Sequence, residues 1–246
     1  MKASPTDQLR LLDVQADDRT LDQLAHRRRT LPEIATLEAI DGRIAKLRDN
    51  IVRLETQDGD MQREQRKIEA DVDVVRQRVV RDQQRLDSGA GSAKDLEHTQ
   101  GELVSLARRQ SDLEDQVLEV MERREAVQIE LDGERVEFDK LSAEKDELTA
   151  RRDAVFAEID GDIADVTQHR AAMVATVPAE LVTLYEKIRA SSGGVGAAKL
   201  YRGRCEGCRL ELSGTDLSEL RAAAPDEVVR CEECRRILVR TDESGL

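Results

Sequence analysis

A heptad repeat spans most of this sequence and limits what the chain can fold into. Apolar residues recur at alternating steps of three and four from Leu37 to Leu86, where Asp58, Gln65 and Asp82 are the polar exceptions. A second series with the same steps runs over 96–173 and has more polar interruptions. An apolar seam with this period keeps facing a partner only when two helices wind around each other in a left-handed supercoil. The repeat therefore predicts two long coiled-coil helices.

A glycine- and serine-rich segment, Asp87-Ser88-Gly89-Ala90-Gly91-Ser92, separates the two repeats and predicts a hairpin tip at 87–92. The flanking segments 5–87 and 93–175 have equal length, as the arms of a hairpin would. Ser92 is a candidate cap for the returning helix, because an acidic residue, Asp95, follows three positions later. Pro32 predicts a helix break near 30–32, since proline lacks the N–H that a helix interior needs. We therefore expect a coiled-coil hairpin over 1–177 and a short helix with a linker over 178–196.

The composition disfavours an ordinary enzyme. Only 2% of the residues are aromatic and 37% are charged, with a formal net charge of −13. So few rings cannot line many ligand pockets, which argues against a small-molecule substrate. The acidic balance also opposes a general nucleic-acid coat, because phosphate binding needs a concentrated positive field. With no long apolar run and no apolar secretion signal after Met1, we expect a cytoplasmic protein that does not bind membranes.

All four cysteines lie near the C-terminus in two Cys-x-x-Cys motifs. The pairs are Cys205 with Cys208 and Cys231 with Cys234, separated by 22 residues. A reducing compartment makes disulfides a poor explanation, whereas two such motifs supply the four thiolates that tetrahedral zinc prefers. We therefore predict one structural zinc ion and a small β zinc-ribbon domain over 197–246. The predicted fold class is mainly α: a long antiparallel coiled-coil hairpin followed by this ribbon.

Short elements are expected around the two motifs. Strands are predicted at Ala198–Tyr201, Leu210–Leu212, Val228–Val229 and Ile237–Val239. A helix is expected to start at Thr215 or Asp216 and to stop at Pro225. A redox dithiol and a catalytic zinc are the alternatives, but four cysteines close the coordination shell and leave no position for water.

Two groups of basic residues contrast with the acidic whole. The first lies at the hairpin tip and comprises Arg76, Arg78, Arg81, Arg85 and Lys94. The second surrounds the cysteines and comprises Arg202, Arg204, Arg209, Arg230, Arg235 and Arg236. The first group has a structural explanation as a solvated helix end, and the second as charge compensation for the cysteine thiolates. Each is also a candidate contact for an acidic protein partner or for nucleic acid.

Three segments resemble a known family, the bacterial proteins that join a long coiled-coil hairpin to a C-terminal four-cysteine zinc ribbon. They are 92–98 at the tip, 184–189, and the second knuckle with the tail that follows it, 234–238. The sequence departs from that family at Arg235, where relatives have glycine after the second motif. A knuckle commonly needs positive φ there, so we expect either a strained Arg235 or an altered turn.

The resemblance implies a non-enzymatic adaptor. Some members of that family are associated with the nitrogen-class sigma factor of RNA polymerase, with flagellar or type III secretion components, or with messenger RNA. Our leading hypothesis is a zinc-dependent scaffold or chaperone-like protein that binds a protein partner, related to transcription or secretion, through the coiled-coil arm and the ribbon. The alternative is an RNA- or DNA-binding protein that acts in transcription or mRNA regulation through the ribbon and the basic tip. A dithiol oxidoreductase is the third hypothesis.

Overall fold

A computed structural model describes residues 1–246, which fold into five helices and four strands. The helices are α1 (Pro5–Arg29), α2 (Pro32–Asp87), α3 (Ala93–Val174), α4 (Ala179–Ser191) and α5 (Gly214–Ala222). The strands are β1 (Ala197–Tyr201), β2 (Arg204–Cys205), β3 (Val229–Arg230) and β4 (Ile237–Val239). The mainly α fold class is therefore confirmed. No helix contains a stretch that is both long and apolar enough to cross a lipid bilayer.

The structure has two compact units. Residues 35–149 form one unit, and residues 1–34 with 150–246 form the other. Both long helices, α2 and α3, contribute residues to both units. In the unit formed by 1–34 and 150–246, the ribbon strands share one core with helical residues and form a second core within the ribbon itself.

The hairpin tip in unit 35–149 follows from local chemistry. Helix α2 ends at Asp87, and Gly89 and Gly91 take positive φ values of 64° and 137°, which glycine adopts at little steric cost. The Ser92 hydroxyl accepts a hydrogen bond from the Asp95 N–H at 3.3 Å. The Asp95 carboxylate in turn accepts one from the Ser92 N–H at 3.0 Å. These bonds to Ser92 lower the pKa of Asp95, and they fix the first turn of α3.

The predicted heptad seam holds the two arms of unit 35–149 together. Ile40 and Ile44 of α2 pack against Leu141 of α3, and Leu54 packs against Val127 and Leu131, all of them buried. Ion pairs flank the seam on the solvent side, including Arg43 with Glu137 at 2.9 Å. Such exposed pairs contribute little stability, so the apolar seam is the main source of cohesion.

A polar layer interrupts this seam at Asp58. The Arg124 guanidinium donates to Asp58 at 2.8 Å and to Gln65 at 3.3 Å. The Asp58 and Arg124 side chains are 23% and 22% exposed, so the ion pair is mostly removed from water. A polar pair inside an apolar seam disfavours other registers, because a shift would leave one charge unpaired.

This layer gives the first testable prediction. Replacing Arg124 alone with Leu should lower the free energy of unfolding by about 1–2 kcal/mol, because the Asp58 carboxylate is left unpaired in the seam. The double variant Asp58→Leu, Arg124→Leu should recover at least that loss. Urea unfolding followed by circular dichroism checks both. A double variant less stable than the single one would show that the pair stabilises the seam outright.

The larger of the two cores in the unit formed by 1–34 and 150–246 is made from helices and strands. Leu11 of α1, Leu181 and Tyr185 of α4, and Ile237 and Val239 of β4 are fully buried within it or nearly so. The same core includes Ile188 in the last turn of α4 and Ala197, the first residue of β1, both of which are buried. The ribbon sheet therefore lies directly on α1 and α4.

A buried polar network adds a second link within this unit. The Asp18 carboxylate, 2% exposed, accepts hydrogen bonds from the Tyr185 hydroxyl at 2.5 Å and from the Arg170 Nε at 2.7 Å. The Arg189 guanidinium lies 3.2 Å from the same carboxylate. Burial, together with the hydrogen bond to Asp18, raises the pKa of Tyr185, so the phenol stays protonated. The pKa of Arg170 is also raised, chiefly by its hydrogen bonds to Asp18. One carboxylate thus joins α1 to α3 and α4.

Gln15 extends the link from α1 to the loop that leads into the ribbon. Its side-chain oxygen accepts a hydrogen bond from the Gly196 N–H at 2.7 Å, and its amide donates to the Gly194 carbonyl at 3.1 Å. A Cβ on Gly196 would lie 2.7 Å from Tyr185, so only glycine allows this approach. The loop before β1 is thereby held in one position against α1.

Candidate metal centre

The ribbon sheet brings the two Cys-x-x-Cys motifs together. Its strand order is β2-β1-β4-β3, with β1 and β4 parallel and the other two pairs antiparallel. The two-residue turn from β1 to β2 is Arg202-Gly203, with φ of 48° and 76°, as a type I′ hairpin turn requires. The first motif begins at Cys205, the last residue of β2, and the second lies between β3 and β4, so strands of one sheet position both.

The secondary structure around the motifs differs from the prediction at several points. Strand β2 was not predicted, and β3 begins at Val229 rather than Val228. Leu210–Leu212 is not a strand, apart from an isolated bridge between Arg204 and Glu211. The reason is the first knuckle, in which the Leu210 carbonyl turns back to accept the Cys205 N–H at 3.0 Å. Helix α5 begins at Gly214, earlier than expected, because Ser213 and Asp216 form a capping box.

The four sulfur atoms have the geometry of a tetrahedral zinc site. The Sγ atoms of Cys205 and Cys234 are 3.8 Å apart, those of Cys208 and Cys231 are 3.9 Å apart, and all four lie within 4.8 Å of one another. A tetrahedron with zinc–sulfur bonds of about 2.3 Å has edges of about 3.8 Å. The site can therefore hold one zinc ion, as predicted, and no protein ligand beyond the four cysteines is needed.

The protonation of the thiols makes zinc binding depend on pH. Burial raises the pKa of Cys205 and of Cys231, although backbone N–H groups of each knuckle oppose the shift. Burial also acts to raise the pKa of Cys234, but hydrogen bonds, chiefly to Arg236, outweigh it and lower the value to about 7. Because zinc binds thiolates, the ion must displace protons from the buried thiols, and affinity falls as the pH is lowered.

The two knuckles have the same backbone hydrogen bonds. The N–H of Arg209 donates to the Cys205 carbonyl at 2.7 Å, and that of Arg235 donates to the Cys231 carbonyl at 2.8 Å. Both arginines have positive φ, 63° and 60°. Arg235 therefore adopts the usual knuckle turn with a strained backbone. Arg209 is strained in the same way, which was not predicted. Close packing explains Gly207, whose added Cβ would lie 2.7 Å from Arg236 and 2.9 Å from Ala198.

The strain at Arg235 yields a second prediction. Arg235→Gly should raise the free energy of unfolding of the zinc-loaded protein by about 0.5–1 kcal/mol, since glycine adopts positive φ without a Cβ clash. Arg235→Val should lower it, because a β-branched side chain fits this conformation worst. Thermal unfolding at a fixed zinc concentration compares the two. Equal stability of both variants would contradict the assigned strain.

The predicted basic contacts of the hairpin tip divide into paired and unpaired side chains. Arg76 binds Glu114 at 2.8 Å, and Arg78 binds Glu102 at 3.0 Å, so both help to join the arms. The three cations nearest the turn, Arg81, Arg85 and Lys94, are exposed and have no ion pair or hydrogen bond through their side chains.

The ribbon arginines are also of two kinds. Arg236 donates to the carbonyls of Ser192 at 2.6 Å and Val195 at 3.1 Å, which makes it a structural residue. Arg204 and Arg235 are exposed and each binds a glutamate two or three residues away, at 3.0 Å and 2.9 Å. Arg202 lies 5.2 Å from the ring centre of Tyr201. Arg209 is exposed and its side chain has no partner.

One structural arginine near the site was missed. Arg240 follows β4 and donates to five backbone carbonyls, which fixes the segment between α5 and β3. The acceptors are Leu220, Ala223, Ala224, Pro225 and Glu227. No local motif marks such a residue, because its acceptors are backbone groups rather than side chains.

Comparisons with known proteins agree with this architecture. Residues 14–193 match the CT398-like coiled coil hairpin domain, and residues 204–238 match the C4-type zinc ribbon domain. The protein Rv2229c of Mycobacterium tuberculosis is 38% identical over 242 residues, which cover 98% of each chain. A solved structure from Mycobacterium smegmatis has a TM-score of 0.87 and 38% identity, and it covers 98% of this chain and 100% of its own. The structure of CT398 from Chlamydia trachomatis, 16% identical over 96% of this chain and 98% of its own, shares the fold with a TM-score of 0.70.

Proposed function

The chain belongs to the CT398-like coiled-coil hairpin family and ends in a C4-type zinc ribbon, and from this we propose that it is a non-enzymatic cytoplasmic adaptor. It binds an acidic surface of a protein partner through the hairpin tip and the ribbon. The zinc ion is structural, because four thiolates complete its coordination and leave no position for a substrate or water.

The observation that supports this proposal most directly is the location of the unpaired cations. The protein has a net charge of −13, yet Arg81, Arg85 and Lys94 collect without partners at the tip. Unpaired exposed charges of one sign steer a partner of the opposite charge. Acidic residues on α2 and α3 repel acidic partners elsewhere, so binding is directed to the basic sites.

A pull-down from the native cytoplasm tests the adaptor function. The intact zinc-loaded protein should retain a partner that is lost, or retained at least about tenfold less, by the variant Arg81→Glu, Arg85→Glu, Lys94→Glu. Arg63→Glu on the same helix serves as the control, because Arg63 is exposed but already bound to Asp60. Retention of no protein by the intact chain would contradict the adaptor function.

Nucleic-acid binding is the second candidate, and the exposed ribbon arginines favour it. Arg202, Arg204, Arg209 and Arg235 all lie on or next to the knuckles and reach solvent. Titration of RNA and DNA at increasing salt distinguishes this role, since a phosphate footprint weakens steeply with salt. Absence of binding at about 50 mM salt would exclude it.

A further inference from the structure

A groove runs along one face of α1 in the unit formed by 1–34 and 150–246. Helix residues spaced by three or four line it, from Leu12 through Arg19 to Arg27. The opposite wall is the loop 193–195, the start of β1 and the first knuckle. The part beside the loop has a volume of about 400 Å³, and the part beside the knuckle has about 350 Å³. The two parts share Gln15, Arg19 and Val195 and therefore lie next to each other along α1.

The groove has a surplus of free positive charge. Arg19, Arg27 and Arg209 line it, are exposed, and have no ion pair or hydrogen bond through their side chains. Its two acidic side chains are already neutralised by arginines outside it. Asp22 lies 3.2 Å from Arg189, and Glu206 lies 3.0 Å from Arg204. The lining therefore attracts anions although the whole chain is acidic.

The helix dipole accounts for only one of these three arginines. Arg27 lies in the last turn of α1, where the helix dipole favours cations. Arg19 is two turns upstream, and Arg209 belongs to the first knuckle, so the dipole does not account for either. Three cations from two separate elements thus converge on one groove.

The floor of the groove indicates the class of anion. It is formed by Leu12, Val195, Ala197 and Ala198, and the His26 imidazole is the one aromatic ring in the lining, which has no Phe, Tyr or Trp side chain. Single-stranded nucleic acid relies on a series of aromatic platforms for stacking successive bases, and this groove offers only His26. The small aliphatic side chains of the floor instead suit a peptide segment that carries both carboxylates and apolar side chains.

We propose that this groove binds an extended acidic peptide segment of a protein partner, with carboxylates facing the three arginines and aliphatic side chains on the floor. From Leu12 to Arg27 the helix rises about 22 Å, a length that about seven residues of extended peptide would span. Because side chains alternate in an extended peptide, an acidic–aliphatic alternation suits both surfaces at once. The proposal rests on the adaptor function and names a docking site and a ligand chemistry for it.

Fluorescence anisotropy with the full-length zinc-loaded protein tests this site. The probe is a fluorescein-labelled peptide of about ten residues with alternating Glu and Leu. The double variant Arg19→Glu, Arg27→Glu should bind it at least about tenfold more weakly, because like charges then face the carboxylates. Arg29→Glu is the matched control, since Arg29 is exposed in the same helical turn but does not line the groove. Unchanged circular dichroism and zinc content establish that the double variant is folded.

Other outcomes overturn the proposal in distinguishable ways. Equal affinity of the double variant and the intact protein, or no peptide binding, would remove the groove as a peptide site. Displacement of the peptide by oligouridylate at lower concentration would assign the groove to nucleic acid instead. A cytoplasmic partner that is lost with the tip variant but retained by the groove variant would leave the adaptor function intact and refute this docking site.

Discussion

Replacing Cys231 with Ser is expected to abolish tight zinc binding and to unfold the ribbon. Cys231 is 1% exposed, and its Sγ atom is one of four that lie within 4.8 Å of one another. Binding of a structural zinc ion supplies on the order of 10–16 kcal/mol in small zinc modules, most of which depends on a complete ligand set. The short strands β2 and β3, each of two residues, have too few contacts to persist without it.

The structure extends this effect from the ribbon to part of the helical region. Ala197, Ile237 and Val239 of the sheet share a buried core with Leu11 of α1 and Tyr185 of α4. In Cys231→Ser, amide hydrogen exchange should therefore be strongly faster over 197–239 and measurably faster in α1 and α4 than in the intact protein. Unit 35–149 has its own seam, so its exchange and most of the helical circular dichroism should be unchanged.

Glu232→Gln is the matched control for the cysteine variant. Glu232 lies within the second motif, but its exposed carboxylate binds Arg235 and does not belong to the four-sulfur cluster. This variant should retain one zinc ion per chain and normal exchange. Loss of protection throughout 35–149 in Cys231→Ser would contradict the separation of the two units, and unchanged exchange over 197–239 would contradict the structural role of zinc.

The heptad seam, the hairpin tip and the zinc ligands could all be predicted from the sequence. The heptad positions Ile44, Leu54 and Leu141 are buried in the seam, and the tip turn contains Gly89, because both features depend on local backbone geometry. The zinc ligands were predictable for a similar reason, since two Cys-x-x-Cys motifs are the local unit of a tetrathiolate site.

Contacts between distant segments could not be predicted in this way. Asp18 and Tyr185 are 167 residues apart, and Gln15 and Gly196 are 181 apart. On α1 alone, Gln15 and Asp18 look like solvated positions, and only the packing of α3, α4 and the loop over that face buries them. The same reason explains why the groove along α1 was missed, since its arginines come from α1 and from the first knuckle.

Removal of the buried carboxylate at Asp18 should cause the largest loss of stability outside the metal site. Asp18→Ala leaves the Tyr185 hydroxyl with only its longer hydrogen bond to Gln15, at 3.3 Å, and the partly buried Arg170 and Arg189 without their shared counter-charge. Breaking a buried ion pair from one side typically costs 3–5 kcal/mol, and the remaining partners of the arginines place the expected loss at about 3 kcal/mol. Chemical unfolding of the zinc-loaded protein measures it.

Two further variants separate the charge from the hydrogen bond. Tyr185→Phe keeps the ion pairs and the packed ring and removes the hydroxyl that donates to Asp18 and, at 3.3 Å, to Gln15, so it should lose only about 1–2 kcal/mol. Asp13→Ala is the matched control, because Asp13 is exposed on the same helix. A loss in Asp18→Ala no larger than in Asp13→Ala would mean that α1 is held to α3 and α4 by the apolar core alone. A loss near 3 kcal/mol would mean that the carboxylate fixes the helix on which both the ribbon and the proposed peptide groove depend.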